Sequence, residues 1–133
     1  MEEYEIRPLL HYTKEHVWVK ILPNGNVMIG ITDYIRKKLG EIVFVELPEE
    51  GIKVTRSTPL GVVESIKATV TIHSPLSGVM KERNLRVIDN PSLIAKNPYE
   101  NWLILLEPTN LEQELRTLLT SEAYKNFLAS VHV

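Results

Sequence analysis

For most of its length the chain alternates short β-prone runs with turn residues, and it turns helical only near its end. Residues 17–22, Val-Trp-Val-Lys-Ile-Leu, are crowded with β-branched and aromatic side chains, a poor alternation but a strong strand signal. Pro23-Asn24-Gly25-Asn26 breaks the run with residues that favour turn dihedrals. Residues 27–31 return the chain, so 17–31 predict a hairpin. Thr32 or Asp33 can cap a short helix near 33–39, and Gly40 fits its end. Residues 41–47 place apolar side chains at both parities, the pattern of a strand buried on both faces. A leading strand is expected over 4–10, with Pro8 confining it to an edge.

The middle of the chain carries the most unusual pattern. Residues 59–64 and 69–73 are rich in Val, Ile and Thr and read as the paired strands of a second hairpin. Its tip is Ser65-Ile66-Lys67-Ala68. Tight turns favour Asn-Gly, Asp-Gly or Gly-X, because those residues accept positive φ at little cost. None is present here. One reading is a strand end with a solvated lysine. The other is that an enzyme that reads the tip, rather than folding, selected these residues.

A turn over 74–78 leads to a strand over 79–83. Residues 84–99 are less regular, with a helical turn over 91–95 that starts at a proline. A short apolar strand over 102–106 is stopped by Pro108. Thr109-x-x-Glu112 is a capping-box pattern that opens a helix over 111–119. Ser121 can cap a second helix with Ala123, Phe127 and Leu128 on its core side. These elements predict a mainly β fold, a two-sheet antiparallel sandwich or flattened barrel with C-terminal helices at about 110–129. One domain spanning 1–133 is expected.

Composition narrows the chemistry. With 44% hydrophobic and 24% charged residues the chain has the balance of a globular domain. A net charge of −2 gives no electrostatic footprint for nucleic acid or for a membrane surface. The basic runs Arg36-Lys37-Lys38 and 81–86 read as solvated faces. No apolar run reaches the length of a membrane span. The start, Met1-Glu2-Glu3-Tyr4-Glu5, is acidic and unlike a leader, so a cytoplasmic protein is expected. Cysteine is absent, which removes disulfides, thiolate metal sites and a cysteine nucleophile. A redox-active sulfur would have to arrive with a prosthetic group. His11, His16, His73 and His132 show no metal-ligand spacing. Ser65 and Ser77 have no neighbouring base, and no phosphate-binding glycine loop is present. Trp18 and Trp102 read as core aromatics.

Glu64-Ser65-Ile66-Lys67-Ala68 resembles the lipoyl-attachment site of the glycine cleavage system H-protein family. Four further blocks resemble the same family in the family's order. They are Tyr12-Thr13-Lys14-Glu15-His16, Gly30-Ile31-Thr32-Asp33-Tyr34, the run from Leu39 to Pro48, and Ser74-Pro75-Leu76-Ser77-Gly78. The resemblance implies a lipoyl-domain-like barrel-sandwich hybrid with the hairpin at an exposed corner. It implies lipoate joined by an amide to Lys67. It also implies recognition of the site by a lipoate ligase or a lipoyl or octanoyl transferase, through Glu64, Gly51 and Gly78 together with Ser65, Ile66 and Ala68. By themselves Gly51 and Gly78 read as turn glycines, and Glu64 as a polar strand edge. A non-catalytic, monomeric carrier follows. It would shuttle an aminomethyl group between glycine decarboxylase, an aminomethyltransferase and lipoamide dehydrogenase.

The chain departs from the family at the arm. The family usually has His-Glu-Trp where His16-Val17-Trp18 stands, often His, though also Tyr, where Tyr34 stands, and often Asp where Thr71 stands. In the family, polar residues at these places hold the amine of the loaded arm. Val17, Tyr34 and Thr71 are therefore the candidate arm pocket, without the carboxylates. This leaves open a lipoate carrier of a sulfur-oxidising, heterodisulfide-reductase-like pathway, or a relay of lipoate to other lipoyl proteins. An unmodified interaction protein is a third reading, against which the intact tip argues.

Overall fold

The computed structural model describes residues 3–131, so Met1, Glu2 and His132, with the readings made of them, lie outside it. Among the described residues the strands form two antiparallel sheets. Strand β1 (His11–Tyr12) pairs with β2 (Val17–Ile21), which forms the expected hairpin with β3 (Val27–Ile31). Side chains of β2 go alternately to two clusters. Val17 and Val19 enter the main core, whereas Trp18 enters an aromatic cluster on the other face. This two-sided burial is why the run alternates so poorly in hydropathy. The Trp18 indole lies flat over Gly30, where a Cβ would come within 2.5 Å of the ring.

Helix α1 (Asp33–Leu39) follows, with Thr32 at its N-cap position and Gly40 at its C-cap. The Thr32 hydroxyl does not cap the helix; it pairs with the Tyr124 hydroxyl at 2.9 Å. Strand β4 (Ile42–Glu46) departs from the expected burial on both faces. Val43 and Phe44 are each 47% exposed, because the ladder slips between Ile42 and Phe44 and turns both outward. Strand β5 (Lys53–Val54) has no sequence signal of its own and is held by β8 (Gly78–Arg83).

The central hairpin is β6 (Pro59–Ser65) and β7 (Thr69–His73), in the register Glu64↔Thr69. It joins β4 as the smaller sheet, in the order β4-β6-β7. The larger sheet is completed by β9 (Ile104–Pro108) and β10 (Leu119–Thr120), in the order β10-β1-β2-β3-β9-β8-β5. Leu60, Val63 and Ile72 of the small sheet pack with Ile29, Met80 and Leu106 of the large one, so one core fills a sandwich.

Other sequence expectations are corrected. The stretch 4–10 is not a strand: Leu9 sits at φ +69 beside Pro8, and side chains satisfy the backbone instead of a ladder. Arg7 N–H donates to the Tyr12 hydroxyl (2.8 Å), which donates back to the Arg7 carbonyl (2.7 Å). Residues 84–99 contain two helices, α2 (Leu85–Asp89) and α3 (Ser92–Lys96), the first capped by the Asn84 side chain. The apolar strand expected over 102–106 lies at Ile104–Pro108 and ends on Pro108 rather than before it. Trp102 is half-buried against the aromatic cluster.

The helix expected over 111–119 is replaced by α4 (Leu111–Glu114), a 3-10 turn (Leu115–Thr117) and β10. Glu114 is engaged by the amide and hydroxyl of Ser77, each at 2.7 Å, and Leu119 pairs with Tyr12. These long-range partners win over local helix propensity. Helix α5 (Ser121–Val131) is capped by Thr120, not Ser121: Ala123 N–H donates to Thr120 Oγ1. Its buried residues are Tyr124 and Leu128, with Ala123 and Phe127 only half-buried.

Candidate functional site

The tip of the β6–β7 hairpin holds itself together without glycine. Ser65 N–H donates to the Ala68 carbonyl at 2.8 Å. The Ser65 hydroxyl accepts from the amides of Lys67 (3.2 Å) and Ala68 (3.1 Å) and reaches the Ala68 carbonyl at 3.2 Å. Ser65 is 5% exposed, whereas Ile66 is 76% exposed and Lys67 and Ala68 are also exposed. One hydroxyl thus does what an Asx side chain does in a turn. No tip residue has positive φ. So Ser65 has a folding role, and the exposed Ile66 and Lys67 are the residues that folding does not explain.

Lys67 makes no ion pair among the described residues. Its stem lies against the C-cap of α1: a Cβ built on Gly40 would be 3.8 Å from Lys67 Cε and 3.9 Å from Nζ. Register explains the meeting. Ile42 pairs with Ser65, so in an antiparallel ladder the residue two before Ile42 faces the residue two after Ser65. The basic side chains of α1's last turn are drawn elsewhere. Arg36 pairs with Asp33 at 2.5 Å, Lys37 approaches the same carboxylate at 3.8 Å, and Lys38 lies over the Tyr34 ring.

Of the other candidates, Glu64 is beside the tip, half-buried, between Phe44 and Thr69. Gly51 and Gly78 are not in that hairpin; they lie along the β5–β8 pair. Gly51 is a turn glycine at φ +87 whose N–H donates to the Met80 carbonyl. Gly78 is not a turn glycine. It opens β8, and a Cβ there would fall 2.3 Å from the Glu107 carbonyl oxygen, so the close approach of β9 requires it.

The candidate arm residues have different environments. Val17 is 1% exposed inside the main core. Tyr34 is half-buried on α1, with the His16 ring 4.3 Å away and Tyr4 edge-on at 5.0 Å. Thr71 is exposed on β7 opposite Val62. None supplies a carboxylate.

Gly40, Val43 and Phe44 were not among the candidate residues. Gly40 carried only a helix-end signal, and its place beside Lys67 depends on strand register. Behind α1 a polar chain runs through the core, with the Tyr124 hydroxyl 2.8 Å from His16 Nδ1 and 2.9 Å from Thr32 Oγ1. Burial pushes the Tyr124 hydroxyl far above the usual phenol range, which keeps it neutral. Among the described residues no cluster of His, Cys, Asp or Glu could hold a metal ion, and no helix is long and apolar enough to cross a membrane.

Comparison with known proteins finds relatives in sequence and in structure. The sequence profile of the glycine cleavage H-protein family matches residues 10–131. A probable glycine cleavage system H protein of Thermococcus gammatolerans is 44% identical over 129 residues, covering 97% of this chain and 96% of the relative. The glycine cleavage system H protein of Geobacillus kaustophilus is 46% identical over 117 residues, covering 87% and 91%. The crystal structure of a glycine cleavage system H protein from Mycobacterium marinum superposes with a TM-score of 0.83 at 34% identity, covering 96% of this chain and all of that one.

Proposed function

This chain belongs to the glycine cleavage H-protein family, and we propose that it is a single-domain, non-catalytic lipoyl carrier whose attachment point is Lys67. The observation that carries the reading is the exposed Lys67 at a turn organised by Ser65, with its amine outside any ion pair among the described residues. A residue that must be acylated by one enzyme and then offered to others has to be reachable in this way. The tip fits the group, since its backbone is pinned while the side chain stays accessible.

Attachment uses Nζ as a nucleophile. The neutral amine attacks the carbonyl of an activated lipoyl or octanoyl donor, an acyl adenylate or acyl thioester. The C–N bond forms, adenylate or thiol leaves, and the nitrogen loses one proton. Once bound, lipoate supplies a strained disulfide that can accept a carbon unit while being reduced. The chain itself has no cysteine to do this. Its part is to present the arm and to let partners approach. The partners we assign are the lipoylating enzyme, glycine decarboxylase, aminomethyltransferase and lipoamide dehydrogenase, met by a cytoplasmic monomer.

The test is incubation with lipoate ligase, ATP and lipoate, read by intact mass. One lipoyl mass is expected on the native chain and none on Lys67→Arg, which keeps the charge but cannot form the amide. Labelling that persists in the Arg variant would move the site to another lysine. Native holo-protein should also support glycine-dependent NADH formation with the three partner enzymes, and its failure to do so would overturn the assignment to glycine cleavage.

A further inference from the structure

We propose that Ser65 and Gly40 are positioning residues that together seat Lys67 for acylation; the proposal rests on the reading of Lys67 as the attachment point. The seat has two halves, one at the end of β6 and one at the end of α1. Ser65 fixes the backbone of the lysine itself, because its buried hydroxyl takes the Lys67 and Ala68 amides, while its own amide closes on the Ala68 carbonyl. Gly40 lies beside the stem. It follows α1 at φ +72 and ψ −124, and a Cβ added there would come 3.8 Å from Lys67 Cε and 3.9 Å from Nζ, so the stem runs past backbone that carries no side chain. The Ile42↔Ser65 pair locks the two halves in register.

This seat restricts a side chain that otherwise loses substantial rotamer freedom whenever an enzyme orders it. An acylating enzyme must align Nζ with an acyl carbonyl, and an amine already held along one path reaches that geometry more often. Arg36, Lys37 and Lys38 are turned to Asp33, Tyr34 and Tyr4 and do not crowd the amine.

The test uses Ser65→Ala and Ser65→Thr in the full chain, with NMR on the unmodified protein and acylation kinetics with lipoate ligase. In the native chain a nuclear Overhauser effect should join the Lys67 ε-methylene to Gly40 Hα, and the Ala68 amide should exchange slowly. Ser65→Ala should abolish that cross-peak, speed Ala68 exchange at least tenfold, and lower kcat/KM for acylation about tenfold, chiefly through kcat. Ser65→Thr, which keeps the hydroxyl, should restore most of the rate. An unchanged acylation rate in folded Ser65→Ala, or no Lys67–Gly40 cross-peak in the native chain, would overturn the seat. Absence of acylation in the native chain would instead overturn the carrier reading, and the NMR measurements would still judge the seat.

Discussion

The two ends of this molecule are built on different principles. At the tip of the β6–β7 hairpin, order comes from a handful of polar contacts local in sequence: Ser65 bonds residues at most three positions away. At the aromatic end, order comes from distant segments. Tyr124 stacks on Tyr12 with ring centroids 4.5 Å apart and ring planes nearly parallel, and its hydroxyl reaches His16 and Thr32. The N-terminal stretch is tied to the same region, where the Tyr99 hydroxyl donates to the Glu5 carbonyl and Glu5 N–H donates to Asp33. The exposed tip is held by its own backbone rather than by burial, whereas the aromatic end is held by buried rings.

The comparison breaks if the aromatic end controls acylation. Tyr124→Ala removes a fully buried ring and should cost about 3–5 kcal/mol, read as a lower denaturant midpoint. Acylation of Lys67 at temperatures where the variant stays folded should remain within about twofold of native. A large loss of acylation in folded protein would mean that the two ends are coupled through α1, whose N-cap Thr32 bonds Tyr124.

Val17→Glu sharpens the comparison at a place where the two ends meet in sequence but not in burial. The family usually has a carboxylate here, yet Val17 is closed inside the core. Burial would raise the new carboxyl's pKa above its unfolded value near 4.3. Its penalty is then absent below that pH and grows as pH rises, to about 3 kcal/mol at pH 7 for a shift of about two units. Equal stability of native and Val17→Glu proteins across pH 4–8 would show that the start of β2 opens to admit the carboxylate, as a pocket for the arm would require.

The same division decides what could be read from sequence. Both hairpins, the helix after Thr32 and the exposed place of Lys67 at a hairpin tip were legible because their signals are local: β-branched runs, a Pro-Asn-Gly turn and a compact motif. What failed was set by distant partners. Leu119 reads as helix but is a strand because Tyr12 pairs with it. Tyr124, absent from the expected core side of α5, is buried because Tyr12 and Thr32 wait for it. Phe44 reads as buried and is exposed because a slipped ladder turns it out. Gly40 looks like a helix stop, and its place beside Lys67 follows only once β4 and β6 are in register.

The smallest expected effect is a pH dependence confined to the aromatic end. His11 lies on β1 between Val19 of β2 and Thr120 of β10. Its Nδ1 is buried without a hydrogen-bond partner among the described residues, and burial lowers its pKa below the usual 6.5. The folded chain therefore keeps this imidazole neutral, while the unfolded chain takes up a proton as pH falls through about 6.5. The His11 contribution to stability is complete above that pH and declines as pH falls toward the depressed folded value. Protonation would also load charge onto the strand that holds β10, which leads directly into α5. Amides of β10 and the first turn of α5 should consequently exchange faster at pH 5.5 than at pH 7.5, after correction for the intrinsic exchange rate, and the Ala68 amide at the tip should not. His11→Gln should flatten this part of the pH profile, because Gln does not titrate. Equal acceleration at Ala68 would show that one cooperative unit spans both ends, and an unaltered profile in His11→Gln would assign the titration to another group.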